Sequence, residues 1–593
     1  MYGCNKKKQK LILIFLKELI MVITFVIWCI VFLLCFSYGF FILHLFIIPK
    51  ENQHEINSPS ETIIYFLTGF VFCYFIASIF SLFIPIGWIA FIIIFVPALL
   101  IVIKNSLLKY LLTTFKLITS LINPYVFFSA SIALLLFSLW LTSGPINNSD
   151  SYIYHAQSIR WIESYPVVKG LGNFFNRLAY NSGWFIQNAL FSFSFLGGRS
   201  FHVLNGLLVF SVSMFFILEF IQASNKNQIE LPQIWGMLII PLGIISIGTQ
   251  ASAPSTDMPV AYLIWIAGYL AMRQNQQNNL FSTIFIITGL IAFAFTIKIS
   301  IAPIFLIPLL LIVFNKKTIK LNNLVKLFIW GSLILAPWMI RNVIISGYAI
   351  YPSAVTAVPV DWRMPESLVI DDEFGIRAWG FYERGSADEV MEKPFFERIK
   401  FWFFNLTLNQ KMMVVTSFFS PIILTFIFLI SFLKNKLKFS TGILITIVGF
   451  FVGFIFWIFV SPNMRFGYVY LLFLFGICLA SGLNWVLSLF NFSNKIQKAG
   501  GVFGLALVLI FLFSHSFNSK DFKTRYFLPQ DYDRLPTSPC TIDGGKVTIL
   551  CADLYGECGY YPFPCHAWGN DTVRMYGEEI TDGFYDGYGL QIK

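Results

Sequence analysis

Apolar residues run in long blocks along most of the chain, broken by short polar or glycine- and proline-bearing stretches. Blocks of roughly 18 or more such residues are the length needed to cross a bilayer as a helix. Expected spans lie near 21–47, 61–83, 86–103, 124–142, 203–221, 234–250, 258–272, 280–297, 301–314, 324–344, 412–433, 441–460, 467–488 and 499–515. They must be helices, because an unpaired backbone in lipid is too costly. The pattern predicts an all-α polytopic membrane protein, a helical bundle of roughly 13–14 transmembrane helices. Its parts are N-terminal membrane helices (1–120), a membrane core (121–516) with external loops 144–200 and 345–410, and a small soluble C-terminal module (517–593).

Composition agrees. Hydrophobic residues make up 57% of 593 and charged residues 12%, with a mean hydropathy of +0.73. A soluble globular chain is nearer one quarter charged. The net charge of +11 does not indicate a nucleic-acid partner. The basic residues sit mainly in short loops, where anionic lipid and helix insertion account for them.

Those loops orient the chain. Lys316, Lys317 and Lys320 share one, Lys434, Lys436 and Lys438 a second, and Lys495 and Lys498 a third. The positive-inside rule places all three in the cytoplasm. Counting helices then puts 144–200, 250–257, 345–410, 461–466 and 517–593 on the opposite face. Lys6, Lys7, Lys8 and Lys10 argue for a cytoplasmic N-terminus, which three single spans before Lys104 would contradict. The expected escape lies in 11–47, as an interfacial helix plus a span or as a tight hairpin. The first span lacks a small-residue cleavage site and is read as an anchor.

Cys540, Cys551, Cys558 and Cys565 all fall in the C-terminal tail. An even set in one non-cytoplasmic segment predicts disulfides. A zinc site with His566, or free thiols, are the competing readings. The six-residue spacing from Cys551 to Cys565 is not the paired pattern of zinc ribbons.

Candidate chemistry gathers on the same face. Asp150 follows an apolar helix and precedes Tyr154, His155 and Arg160, with an amphipathic surface helix expected over 154–161. The stretch 169–185 reads as a loop packed back onto the membrane with Arg177 exposed. Asp257 opens a later helix and would otherwise be a plain N-cap. Lys298 lies between two apolar runs, where a lone lysine could only snorkel. Arg341 sits in P-W-M-I-R-N and Arg465 in S-P-N-M-R-F. Each arginine alone would be an interfacial anchor, but a planar fork also suits phosphate.

This order of features over about 124–490 resembles the GT-C superfamily of membrane glycosyltransferases. The carriers of the resemblance are the acid after a membrane helix at Asp150, the acidic helix start at Asp257, the T-I-K of 296–298, the P-W-x-x-R-N helix exit at Arg341 and the R-F at Arg465. The resemblance implies inverting transfer from a polyprenyl-phosphate-linked sugar to a glycan, lipid or protein acceptor. Asp150 would be the general base, and Lys298, Arg341 and Arg465 would neutralise the departing phosphate. Tyr154, His155, Arg160 and Asp257 would position the substrates. Trp161, Trp184 and Trp379 would stack on sugars, and the loop around Asp371, Asp372, Glu373 and Arg377 would cover the site. No cofactor is implied. A divalent metal wants several oxygen ligands, and Asp150 has no immediate acidic neighbour. The implied setting is a bacterial inner membrane with the large loops and C-terminus in the periplasm. A transporter or flippase of lipid-linked glycans, or a polymerase or ligase of such glycans, is the alternative.

Overall fold

The computed structural model describes residues 2–47, 58–105, 107–146, 148–196, 199–274, 280–381, 387–433, 440–489, 531–569 and 572–586. Among these, ten helices are long and apolar enough to cross a membrane, and a bent pair would make an eleventh. This is an all-α multi-pass membrane protein with a small disulfide-bonded C-terminal sheet.

Helix α1 is Tyr2–Phe46 and α2 is Glu61–Phe80. The expected span at 86–103 is the first half of a pair, α3 (Trp88–Lys104) and α4 (Leu107–Leu121), bent by 66°. Helix α5 is Pro124–Thr142, α6 is Ala156–Ser164, α7 is Leu204–Asn225 and α8 is Leu231–Ile247. Helix α9, Asp257–Met272, is buried along its whole length, which marks it as the centre of the bundle. Around it follow α10 (Leu280–Ile297), α11 (Leu306–Phe314, entered by a 3-10 turn from Ile299) and α12 (Leu321–Ser346). After an excursion containing α13 (Glu366–Phe381) and α14 (Phe395–Asn405) come α15 (Leu408–Leu433), α16 (Thr441–Val460) and α17 (Met464–Leu489). The expected span at 499–515 lies outside the described residues, as do the loops carrying Lys434–Lys438 and Lys495–Lys498.

Helix α1 is unbroken, so neither the hairpin nor the interfacial segment expected in 11–47 is present. Its second half packs on α2 at a crossing that only glycine permits. A Cβ on Gly39 would meet the Tyr65 carbonyl oxygen at 1.7 Å, and one on Gly69 the Cys35 carbonyl oxygen at 1.7 Å. Small residues let membrane helices approach to backbone contact. Trp28 donates to the Val203 carbonyl and Lys326 to the Phe46 carbonyl, which fixes the direction of α1 across the bundle.

The bundle has two distinct ends. At one end lie 143–203, the excursion 347–381, the 461–465 turn and the tail from Asp531. They are tied by Gly170 N–Ile344 O, Phe584 N–Lys169 O and Ser461 Oγ–Ile376 O bonds of 2.8–3.0 Å. At the other end, Asn225 donates to Leu121 O and Ser440 to Met272 O. Lys316–Lys320, between α11 and α12, belongs to this far end.

The segment after Asp150 departs from the expected surface helix. A π-turn over Ser151–His155 leads into α6, whose Ala156, Ile159, Trp161 and Ile162 are buried between bundle and tail instead of facing lipid. Residues 183–190 then dip back into the bundle, where Gln187 donates to Phe70 O, midway along α2. Trp184 is thereby fully buried and Trp161 nearly so, so neither presents a face to a sugar. Trp379 is exposed.

The tail folds as β1 (Thr537–Ile542), β2 (Val547–Ala552) and the short β3 (Cys565–His566), with β4 (Val573–Met575) pairing β5 (Phe584–Asp586). Its cysteines form two disulfides, Cys540–Cys551 across the β1–β2 pair and Cys558–Cys565 closing the loop that grips α6. The tail is not a detached module. A Cβ on Gly170 (φ +64°) would meet Phe584 O at 1.9 Å, and one on Gly583 (φ +99°) would meet Lys169 O at 2.6 Å, so both contacts require glycine.

Two outcomes follow from this arrangement. Cysteines placed at Lys317 and Val355, both exposed, should react with a membrane-impermeant reagent from opposite sides. Labelling of both from one side would contradict the two-ended bundle. Mass spectrometry of unreduced peptides should find 540 linked to 551 and 558 linked to 565.

Candidate functional site at one end of the bundle

Four separate segments bring two acids and two cations together. Asp150 follows α5, Asp257 is in the first turn of α9, Lys298 follows α10, and Arg465 is in the first turn of α17. Arg465 Nη2 donates to Asp150 Oδ2 at 3.0 Å, and its Nε lies 3.9 Å from Asp257 Oδ2. Asp257 Oδ1 is paired with Lys298 Nζ, which also sits 3.8 Å from the centre of the Phe466 ring. The cluster is neutral overall and runs from a buried end at Asp257 to a half-open mouth at Arg465, whose side chain is 41% exposed.

Helix dipoles sort these charges. Asp257 lies at the positive end of α9 and Lys298 at the negative end of α10, each on its favoured side. Asp257 is not the cap expected from its position. Thr256 occupies the cap, and the Asp257 carboxylate is spent on cations. Arg465 is the exception, a cation at the positive end of α17. Its placement is tolerated because two carboxylates face it.

His155 and Tyr154 back this cluster. His155 Nδ1 is 3.1 Å from Ser151 Oγ, while its Nε2 is buried without a hydrogen-bond partner. Burial lowers His155 to about 4, against the pull of Asp150 and Asp257, so it is neutral at pH 7. The Tyr154 ring stands edge-on to His155 and Tyr180, at 4.5 and 5.6 Å. Burial and then Asp150 push its phenol well above the usual range. For Asp150, burial opposes ionisation, but His155, Arg465 and Lys298 together outweigh it and hold the carboxyl below the usual range. Of these, Arg465 is in direct hydrogen-bond contact with the carboxylate.

The structure thus gathers Asp150, Tyr154, His155, Asp257, Lys298 and Arg465. It does not bring Arg160 or Arg341 to them. Arg341 is buried, with Nε held by Asn181 Oδ1 at 2.9 Å and Nη1 by Ser81 O and Oγ at 3.2 and 3.1 Å. It locks α12 to the 143–203 loop and α2 instead of facing phosphate. Arg160 turns to the tail, donating to Tyr560 O at 2.6 Å and stacking on Tyr560 and Phe563. Among the described residues no group of three or more His, Cys, Asp or Glu side chains is placed to hold a metal.

Sequence reasoning missed the layer behind Tyr154. Arg177, expected to be exposed, pairs with buried Asp372 at 2.9 Å, and Tyr351 donates to Asp372 at 2.9 Å. Asp372 thereby ties α13 over the site, whereas Glu373 and Arg377 pair with each other on the outer face. The only sequence signal was that Arg177 and Asp372 were charges on the same side. Phe466 was missed as well, though it is the second member of the R-F pair.

These features define the class, a multi-pass membrane protein with a charged site where its helices end. The chain belongs to the family described as a domain of unknown function, DUF8201, whose model matches residues 21–472. No curated protein and no solved structure matched the chain.

His155, His202 and His566 are each buried, and burial lowers them to about 4, 3 and 4. His566 Nδ1 also accepts from Trp568 N and Gly569 N, which needs the ring unprotonated there. In the unfolded chain these rings titrate near 6.5. Their stabilisation is complete above that pH and is lost as pH falls toward 4, at about 1.4 kcal/mol per pH unit for each group. The melting temperature in detergent should therefore fall between pH 7 and pH 5, and His566→Gln should flatten the slope. A profile that is flat in the parent protein would show that the histidines are not held neutral.

Proposed function

We propose that the protein is an inverting glycosyltransferase, moving a sugar from a polyprenyl-phosphate carrier to a hydroxyl acceptor at the site end of the bundle. One observation carries the reading: Asp150, an acid in a loop at the bundle end, is held by Arg465, a cation placed where only an anion makes it favourable. A lipid phosphate arriving between the helix ends supplies such an anion. The acidic loop after a membrane helix and the R-F turn also resemble GT-C enzymes, which supports the same substrate class.

The chemistry follows from exchange of partners. At rest Asp150 is ion-paired and is a weak base. When the donor phosphate draws Arg465 away, Asp150 loses its ion-pair partner and its pKa rises toward the ordinary range. The acceptor oxygen then attacks the anomeric carbon on the face opposite the phosphate. Its proton passes to Asp150, the new carbon–oxygen bond forms, and the bond to phosphate breaks with its electron pair leaving on the phosphate oxygen. Arg465 and Lys298 stabilise that developing charge. Neutral His155 and Tyr154 hold the carboxylate's wall. The site end is read as the outer face of a bacterial inner membrane, because Lys316–Lys320 lies at the other end.

Transfer should be assayed with purified protein and polyprenyl-phosphate sugars. Asp150→Asn should lower kcat by about 10²–10⁴-fold, the usual worth of a positioned base. Removing Arg465 raises the Asp150 pKa in the free enzyme, so Arg465→Met should move the acidic limb of kcat/KM to higher pH, whereas Arg465→Lys should keep it near the parent position. Lys298→Met should slow transfer from the phosphate donor. Full activity of Asp150→Asn would overturn the reading.

A further inference from the structure

A second site lies on the same end of the molecule, where the tail meets α6. Arg534, Leu535 and Thr537 with Tyr561, Pro562 and Phe563 form an open groove of about 450 Å³ against Arg160 of α6. That is within the range of small-ligand sites. Its floor is aromatic, with Tyr561 and Phe563 half-exposed. Its walls are cationic. The Arg160 guanidinium lies 4.9 Å from the Phe563 ring centre and 5.5 Å from that of Tyr561, and Arg534 lies 5.4 Å from the Tyr561 ring. Arg160 spends one nitrogen on Tyr560 O. Arg534 is exposed and has no ion-pair partner among the described residues. Of the nearby acids, Asp531 lies 3.9 Å from Arg199 and Asp533 accepts from Tyr152 at 3.5 Å.

A surface arginine alone would mean little. Here Arg160 lies over the Tyr561 and Phe563 rings and Arg534 over Tyr561, and a planar guanidinium suits a carboxylate or phosphate. The half-exposed Tyr561 and Phe563 rings add apolar surface to the groove beside them. The groove is also fixed in place. The Cys558–Cys565 disulfide closes the loop that carries Tyr561 and Phe563, and Gln157 donates to Gly559 O and Pro562 O at 3.0 and 2.9 Å. Arg160 lies ten residues beyond Asp150 along one nearly continuous helix, about 15 Å at the helical rise.

We infer that this groove binds an anionic saccharide, the acidic sugar or sugar phosphate being gripped by Arg160 and Arg534 over Tyr561 and Phe563. On the proposed glycosyltransferase reading, it holds the body of the acceptor while its end reaches Asp150. The site therefore selects acceptors that carry negative charge a few sugars from the reacting hydroxyl.

The test is direct binding to the full-length protein in detergent, without donor, by isothermal titration calorimetry. The probes are tetragalacturonate, a tetramer of α2,8-linked sialic acid, a glycerol-phosphate-linked oligosaccharide and, as the neutral control, maltotetraose. At least one anionic probe should bind tenfold or more tighter than maltotetraose, and more weakly as salt rises. The carboxylate and phosphate arms show which anion the groove takes. Arg534→Ala should weaken that binding about tenfold, Lys546→Ala, on an exposed turn of the same tail, should not change it, and Asp150→Asn should keep it. Equal binding of neutral and anionic probes, no binding of any anionic probe, or indifference to Arg534→Ala would overturn the inference. Because Asp150→Asn separates binding from transfer, failure here leaves the catalytic reading standing, and loss of catalysis alone leaves the groove standing.

Discussion

The structure depends on one constraint: charges at the membrane boundary must be paired where they are buried. Asp257 is 7% exposed and Lys298 18%, so neither can rely on water. An unpaired charge there costs several kcal/mol. Their pairing holds the start of α9 against the end of α10, and Arg465 draws the start of α17 and the Asp150 loop onto the same point. The Glu219–Arg273 pair, joined by Tyr269 and Ser60, meets the same requirement at the far end. The bundle is pinned by ion pairs at both ends, while its middle is closed by apolar contact and by glycine crossings such as Gly39 on Gly69.

The tail extends this logic outward. Helix α6 has no membrane neighbour to cover its outer side, and the tail supplies that cover. Gln157, Arg160 and Glu163, on successive turns of α6, reach Pro562 O, Tyr560 O and the Tyr560 hydroxyl. The same helix begins at the π-turn that bears His155. Such turns are often kept at functional sites because they re-aim side chains. The position of Asp150 relative to Arg465 is thus set from two sides, by the bundle through α5 and by the disulfide-closed tail through α6.

Most of the fold was legible because hydropathy is a local signal. Every described span was marked by its own residues, including α9 and α11, which are short for a crossing. The bend after Lys104 was not, because Lys109 and Lys116 give α4 a polar face that hides it from a hydropathy reading. The site was legible in part. Helix counting put Asp150, Asp257, Lys298 and Arg465 on one end, and they meet there. It gave Arg341 and Arg160 the same end, yet they point away. Counting tells the height of a residue along a helix but not its rotation about the axis, and Arg341 is turned toward Ser81 and Asn181. Trp184 was misread for a related reason, since nothing local shows that 183–190 returns into the bundle.

The lowered pKa of Asp150 is at odds with the proposed role as a base, since a stabilised carboxylate is a poor proton acceptor. The geometry resolves this. Arg465 is the more exposed partner, at 41%, and Asp150 is 30% exposed, so their bond lies at the mouth and can be exchanged without opening the core. The Asp257–Lys298 pair behind it is more deeply buried and keeps the helix ends in register during the exchange. On the proposed reading, a phosphate that draws Arg465 away makes Asp150 more basic at the moment the substrate is present. An acid without such a cation would stay basic in the empty enzyme and would also leave Arg465 uncompensated at the start of α17. On the proposed reading, the Asp150–Arg465 ion pair is the resting form of the site.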